Sequence, residues 1–160
     1  MNLLPGRNVL LAIGIISTAP SLIASVVRPV PIQDRARGAE RVVVAVVSDI
    51  TATYERNVHG DELIVSHVAL RVDEAIKGSL GNVVVALEGG TINGITLRVS
   101  DLPTLSPGER AVFFLTPGPR DEFTPHLRGQ GILKLDSSDH VRNSSLTLGQ
   151  IRQLARSAGQ

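Results

Sequence analysis

Between positions 41 and 135 the chain alternates short apolar stretches with glycine- and proline-rich breaks. That rhythm predicts β-strands joined by turns. The first strand is expected over 41–54. Its run from Val42 to Val47 is apolar at every position, which suits a strand covered on both faces. A turn cluster, NVHGD, comes next at 57–61. Residues 62–76 then show the clearest alternation. Ile64, Val68, Leu70, Val72 and Ile76 share one face, with Ser66 and Glu74 as polar exceptions, and Val65, His67, Ala69, Arg71 and Asp73 share the other. A period of two places one face in a core and the other toward water.

Further strands are expected at 83–87, 95–99 and 110–116, with short ones at 122–127 and 132–135. Turn chemistry separates them: the stretch 77–82, the glycine pair 89–90, a loop with two prolines over 101–109, and Pro117-Gly118-Pro119. Near the end the period changes. Thr147 and Gln150 have capping-box spacing. Leu148, Ile151 and Leu154, backed by Ala155 and Ala158, form a stripe at helical spacing. This spacing predicts a helix over 148–157 packed on the strands. Many short strands plus one terminal helix predict a mainly β fold, a small closed or partly open barrel, with a β-sandwich as the alternative.

The N-terminus has a different character. Residues 8–27 carry no charge and come directly after Arg7. The apolar stretch 9–16 and the small residues at 17–21 read as a signal peptide, with Ala19 and Ser21 suiting a cut after Ser21. The same segment is long enough to span a bilayer as an uncleaved anchor. Both readings put the rest of the chain outside the cytoplasm: periplasmic, extracellular or anchored facing outward. The expected organisation is a signal peptide or anchor over 1–24, a linker over 25–38 that can carry a short helix from Ile32, a β-barrel over 39–145 and the helical end over 146–160. No internal repeat is present.

Composition narrows the chemistry. Apolar residues make up 42% of the 160, enough for a core, but Tyr54, Phe113, Phe114 and Phe123 are the only aromatics. The core is therefore aliphatic, and β-branched Val and Ile favour strands. The net charge of +1 provides no bulk attraction for a phosphate backbone. With no stacking platform either, nucleic acid is not an expected partner. There is no cysteine, so disulfides, thiolate metal sites and a lipid-modified cysteine are excluded.

The motifs that would carry catalysis are missing. The stretch GGTING at 89–94 lacks the Lys-Ser/Thr and subsequent helix of a phosphate loop, and reads as a turn or bulge needing positive φ. His59, His67, His126 and His140 show no metal-ligand spacing. The acidic pairs 61–62, 73–74 and 121–122 sit at strand ends and turns, where neighbours point to opposite faces. Ser66 and His67 diverge in the same way, and no nucleophile elbow is present. No catalytic, cofactor or metal residues are expected.

In order and spacing the stretches VVVAVVSDI, VALRVDEAIKG, VVVALEGGTINGITLRVS, PGERAVFFL and LRGQGILKLD resemble a group of exported bacterial proteins of uncharacterised function. The core of that group is similar to netrin and tissue-inhibitor-of-metalloprotease modules. The resemblance covers about residues 38–136 and implies an OB-like barrel. It brings no catalytic residues, and the inhibitors' N-terminal cysteine has no counterpart here. The function expected is a non-enzymatic binding or accessory module, exported to the envelope or secreted, with an unknown exported protein or envelope component as partner. Membrane contact would run only through an uncleaved N-terminal segment. An enzyme with an unrecognised site and a protease-inhibitor-like module are the alternatives. The outward strip Val65, His67 and Arg71, mixed apolar and polar, is the candidate partner-binding surface.

Overall fold

A computed structural model describes residues 28–57 and 59–158. The apolar segment expected to direct export lies outside the described residues. In chain order the elements are α1 (Ile32–Gly38), β1 (Arg41–Arg56), β2 (Glu62–Lys77), β3 (Val83–Glu88), β4 (Gly90–Ile92), β5 (Ile95–Leu97), β6 (Arg110–Pro117), β7 (Phe123–Pro125), β8 (Ile132–Lys134) and α2 (Leu148–Ser157).

β1 and β2 pair antiparallel over their whole length. β3 continues the sheet beyond β2, and β6 lies along the other edge of β1. β7 joins β6 antiparallel and meets β3 in parallel through Val85 and Phe123. The order β1-β2-β3-β7-β6 therefore returns to β1. The result is a mainly β, partly closed five-strand ring with a C-terminal helix, an OB-like barrel. β8 takes over from β7 along the same edge of β6.

The uninterrupted valine run is explained by two cores sharing β1. Val43, Ala45 and Val47 point into the barrel with Val68, Leu70, Val85 and Phe113. Val42 and Val44 point outward with Val112 and Phe114, and α1 and α2 cover them. Phe113 and Phe114 are neighbours on β6 facing opposite cores, both fully buried. Each contributes about 1.5–3 kcal/mol relative to exposure.

The alternation along β2 places Leu70 inside and Arg71 outside. Beyond Val72 it breaks. Val44 pairs with Glu74 and Ala45 with Val72, so Asp73 is an extra residue on β2. Such a bulge reverses the facing of the residues beyond it. Ala75, not Glu74, then packs in the barrel, and Ile76 packs in the outer core. Glu74 is thus no exception on the inner face. It lies outside, where it accepts hydrogen bonds from Arg152 of α2 at 2.8–3.1 Å. β1 has its own bulge at Ser48, between Val47 paired with Leu70 and Asp49 paired with Ala69. This lets Ile50 turn inward although Val47 is three residues away.

The expected strand at 95–99 is shorter and acquires a partner the pattern did not predict. Asn93 and Gly94, at φ 50° and 80°, make the left-handed turn that joins β4 to β5 in a hairpin. α2 starts as predicted: the Thr147 hydroxyl accepts from the Gln150 backbone N–H, and the Gln150 side chain accepts from the Thr147 N–H. Within the stretch read as a linker, α1 belongs to the folded body, with Ile32, Ala36 and Ala39 buried. Arg35 is buried beside them and donates to the carbonyls of Val30 and Gln130, both at 2.7 Å. Burial lowers its guanidinium from the ordinary arginine range.

Candidate functional site

At the far end of β3, Gly89 and Gly90 adopt φ 106° and 142°, values that favour glycine. They swing the β4–β5 hairpin back across the barrel mouth. The approach is close: a Cβ on Gly90 would lie 2.5 Å from Ser66 Oγ. Ser66, the true polar exception on the inner face of β2, donates to the Gly89 carbonyl at 2.7 Å. Its hydroxyl anchors the turn.

Between this hairpin, the loop after it and the inner faces of β1 and β2 lies an open-mouthed cavity of about 390 Å³, within the range of small-molecule sites. Its wall carries Ile50, Ala52, Val68, Leu87, Leu102 and Leu105, with Ser66, Glu88, Thr91, Thr96, Arg98 and Thr104 as polar members. The Thr91 and Thr96 hydroxyls bond each other at 2.8 Å. Beside the mouth, Arg128 donates to Glu88 at 3.0 Å and to Asp101. The Arg128 hydrogen bond holds the Asp101 carboxyl below the ordinary range against a smaller opposing effect of burial. The same bond, with that to Glu88, raises the Arg128 guanidinium.

The strip Val65, His67 and Arg71 lies on the outward face of β2, but its members differ in access. The Arg71 side chain is 70% exposed and 3.6 Å from Asp73. Val65 is half-buried. His67 is enclosed, its side chain only 17% exposed. Its Nδ1 lies 2.8 Å from Glu122 and its Nε2 3.0 Å from Glu55, with the Thr53 hydroxyl 2.9 Å from the same Nε2. Each ring nitrogen faces a carboxylate, so both polar edges of the ring are taken up by the chain's own groups.

Arg120 clasps Glu55 with two hydrogen bonds. These and its charge hold the Glu55 carboxyl below the ordinary range, with burial opposing. Arg120 and Asp121 both sit at positive φ, 59° and 57°, a strained turn pinned across the wall. Part of the predicted strip is therefore occupied by the chain's own residues. No local pattern could reveal this, because Glu122 is 55 residues from His67. Among the described residues, no group of three or more His, Cys, Asp or Glu side chains is arranged to hold a metal ion.

Fold and site together define a class: a small OB-like barrel with a cavity at its mouth. No protein-family model matches the chain, and no curated protein matches it.

Proposed function

We propose that the chain is an exported, non-enzymatic binding module that accepts a small ligand in the mouth of its barrel. The observation that carries this reading is the cavity of about 390 Å³, whose wall aliphatic and polar side chains share. The polar lining supports holding rather than activation. Ser66 spends its hydroxyl proton on the Gly89 carbonyl, and Thr91 and Thr96 engage each other. Among the described residues, none of these hydroxyls is hydrogen-bonded to a histidine or carboxylate that could act as a base.

A polarity-sensitive neutral dye, N-phenylnaphthylamine, tests the site in a protein that has no tryptophan. The expected result is enhanced emission with the native protein and loss of it in Ala52→Phe, which fills the cavity. Equal emission from both would exclude the cavity as the site. Export has its own test: N-terminal sequencing of protein from its native host should find a start between positions 22 and 26. The intact chain in membranes would show an anchor instead.

A second reading is favoured by the exposure of Arg71 on the same outward face of β2 as half-buried Val65: an envelope protein docks on the outer wall. Arg71→Glu should then abolish capture of that partner from envelope extracts, and unchanged capture would remove the wall as its site.

A further inference from the structure

We infer that the mouth cavity takes a single-chain amphipathic acid, an aliphatic chain of about ten carbons whose carboxylate pairs with Arg98. This rests on the proposal that the cavity is the binding site, and it assigns the chemistry of the ligand.

Depth within the cavity comes first. Val68, Leu87 and Leu105 are buried and line its floor, where buried Ser66 has its hydroxyl engaged by the Gly89 carbonyl, whereas Thr91, Thr96 and Arg98 are exposed at its rim. An apolar floor under a polar rim orients a ligand tail-inward and head-outward. Among the described residues no aromatic side chain lines the cavity, and its apolar members are all aliphatic, so a flat ring gains no stacking there while a flexible chain packs against them.

The head is set by charge. Arg98 lines the cavity and Arg128 bonds Glu88 of its wall. Arg128 is spent on Glu88 and Asp101, which also neutralises the Glu88 carboxylate at the wall. Arg98 is different: among the described residues its guanidinium has no hydrogen bond and no ion pair, although it lines the cavity. It is the uncommitted cation at the rim, and a guanidinium presents paired donors that match a carboxylate.

Size sets the chain. At the roughly 30 Å³ that a water molecule occupies in the liquid, 390 Å³ holds about thirteen groups of that size. A ten-carbon acid comes close to filling this.

The test displaces N-phenylnaphthylamine from the purified protein with decanoate, decanol and decyltrimethylammonium, each below its micelle concentration. Decanoate should bind about tenfold more tightly than decanol, the scale of one charge-assisted pair. Arg98→Gln, a change at an exposed position, should bring the two within about twofold by removing that pair. Methyl NMR provides an independent readout: decanoate should shift the Leu87, Leu102 and Leu105 methyls in the native protein.

If decanol binds as well as decanoate while Arg98 is present, or if Arg98→Gln keeps the preference, the assignment of an acid is overturned and the cavity reading stands. If none of the three displaces the dye and no lining methyl shifts, the cavity reading itself fails, and the acid with it.

Discussion

Gly90→Ala is the sharpest perturbation of the mouth. Position 90 sits at φ 142°, and forcing a side chain into such a conformation costs about 1–3 kcal/mol. The added methyl would also meet Ser66 Oγ at 2.5 Å, Ile64 Cγ2 at 3.2 Å and Ala52 Cβ at 3.3 Å. The last two can yield by a few tenths of an ångström. The hydroxyl has to rotate away, breaking its bond to the Gly89 carbonyl at a cost of about 1–3 kcal/mol for a buried group left unpaired. The total is about 2–6 kcal/mol, a large part of the 5–15 kcal/mol typical of a domain.

Ser66→Ala alone loses only the hydrogen bond, about 1–2 kcal/mol. In the double variant the hydroxyl is already gone and its bond cannot be lost twice. The pair should therefore cost less than the sum of the singles by about 1–2 kcal/mol. Urea unfolding monitored by far-ultraviolet circular dichroism measures all four corners of the cycle. A Gly90→Ala cost under about 1 kcal/mol, or strict additivity, would refute the close approach of hairpin and barrel.

Other predictions concern register, acid stability and capping. Leu70→Asp buries an unpaired carboxylate in the barrel and should cost several kcal/mol, whereas Arg71→Asp, one residue on and exposed, should cost under about 1 kcal/mol; equal losses in thermal melts would contradict the facing of β2. Burial pushes the Glu109 carboxyl up, but the hydrogen bond and charge of Lys134, helped by the Ser106 N–H and Arg142, outweigh it and hold the group below its ordinary range. Its stabilising contribution is therefore complete above the unfolded-state value of about 4.3 and disappears as pH falls through the lower folded value. Glu109→Gln should accordingly show a shallower acid loss of stability than the native protein below about pH 4.5, and superimposable acid limbs would exclude the effect. Thr147→Ala removes the cap of α2 and should cost about 1 kcal/mol by urea denaturation, with no change expected in dye binding at the mouth, whose lining includes no residue of α2.

Much of the architecture is legible along the chain. The alternation over 62–76, the valine run and the Thr147–Gln150 box each depend on neighbours within a few residues, so they can be read locally as strand faces and a helix start. The outward placement of Val65, His67 and Arg71 rests on the same period. Features decided by a distant partner are not legible in this way. Asp73 and Ser48 look like ordinary strand residues, and only the register between β1 and β2 makes them bulges, so the period alone puts Glu74 and Ile76 on the wrong face. β4 escapes notice because a three-residue strand exists only through its hairpin partner.

The candidate sites divide along the same line. Sequence by itself determined a mainly β fold with an aliphatic core and a terminal helix, because periodicity and side-chain character are properties of adjacent residues. Tertiary structure alone decided that His67 lies between Glu55 and Glu122 rather than free on the wall. It alone created the cavity, whose lining runs from Ile50 to Leu105. It also left Arg98 without a partner among the described residues while Arg128 found two. The physical reason is that enclosure and charge pairing act across space, between residues dozens of positions apart, and no window along the chain contains both partners.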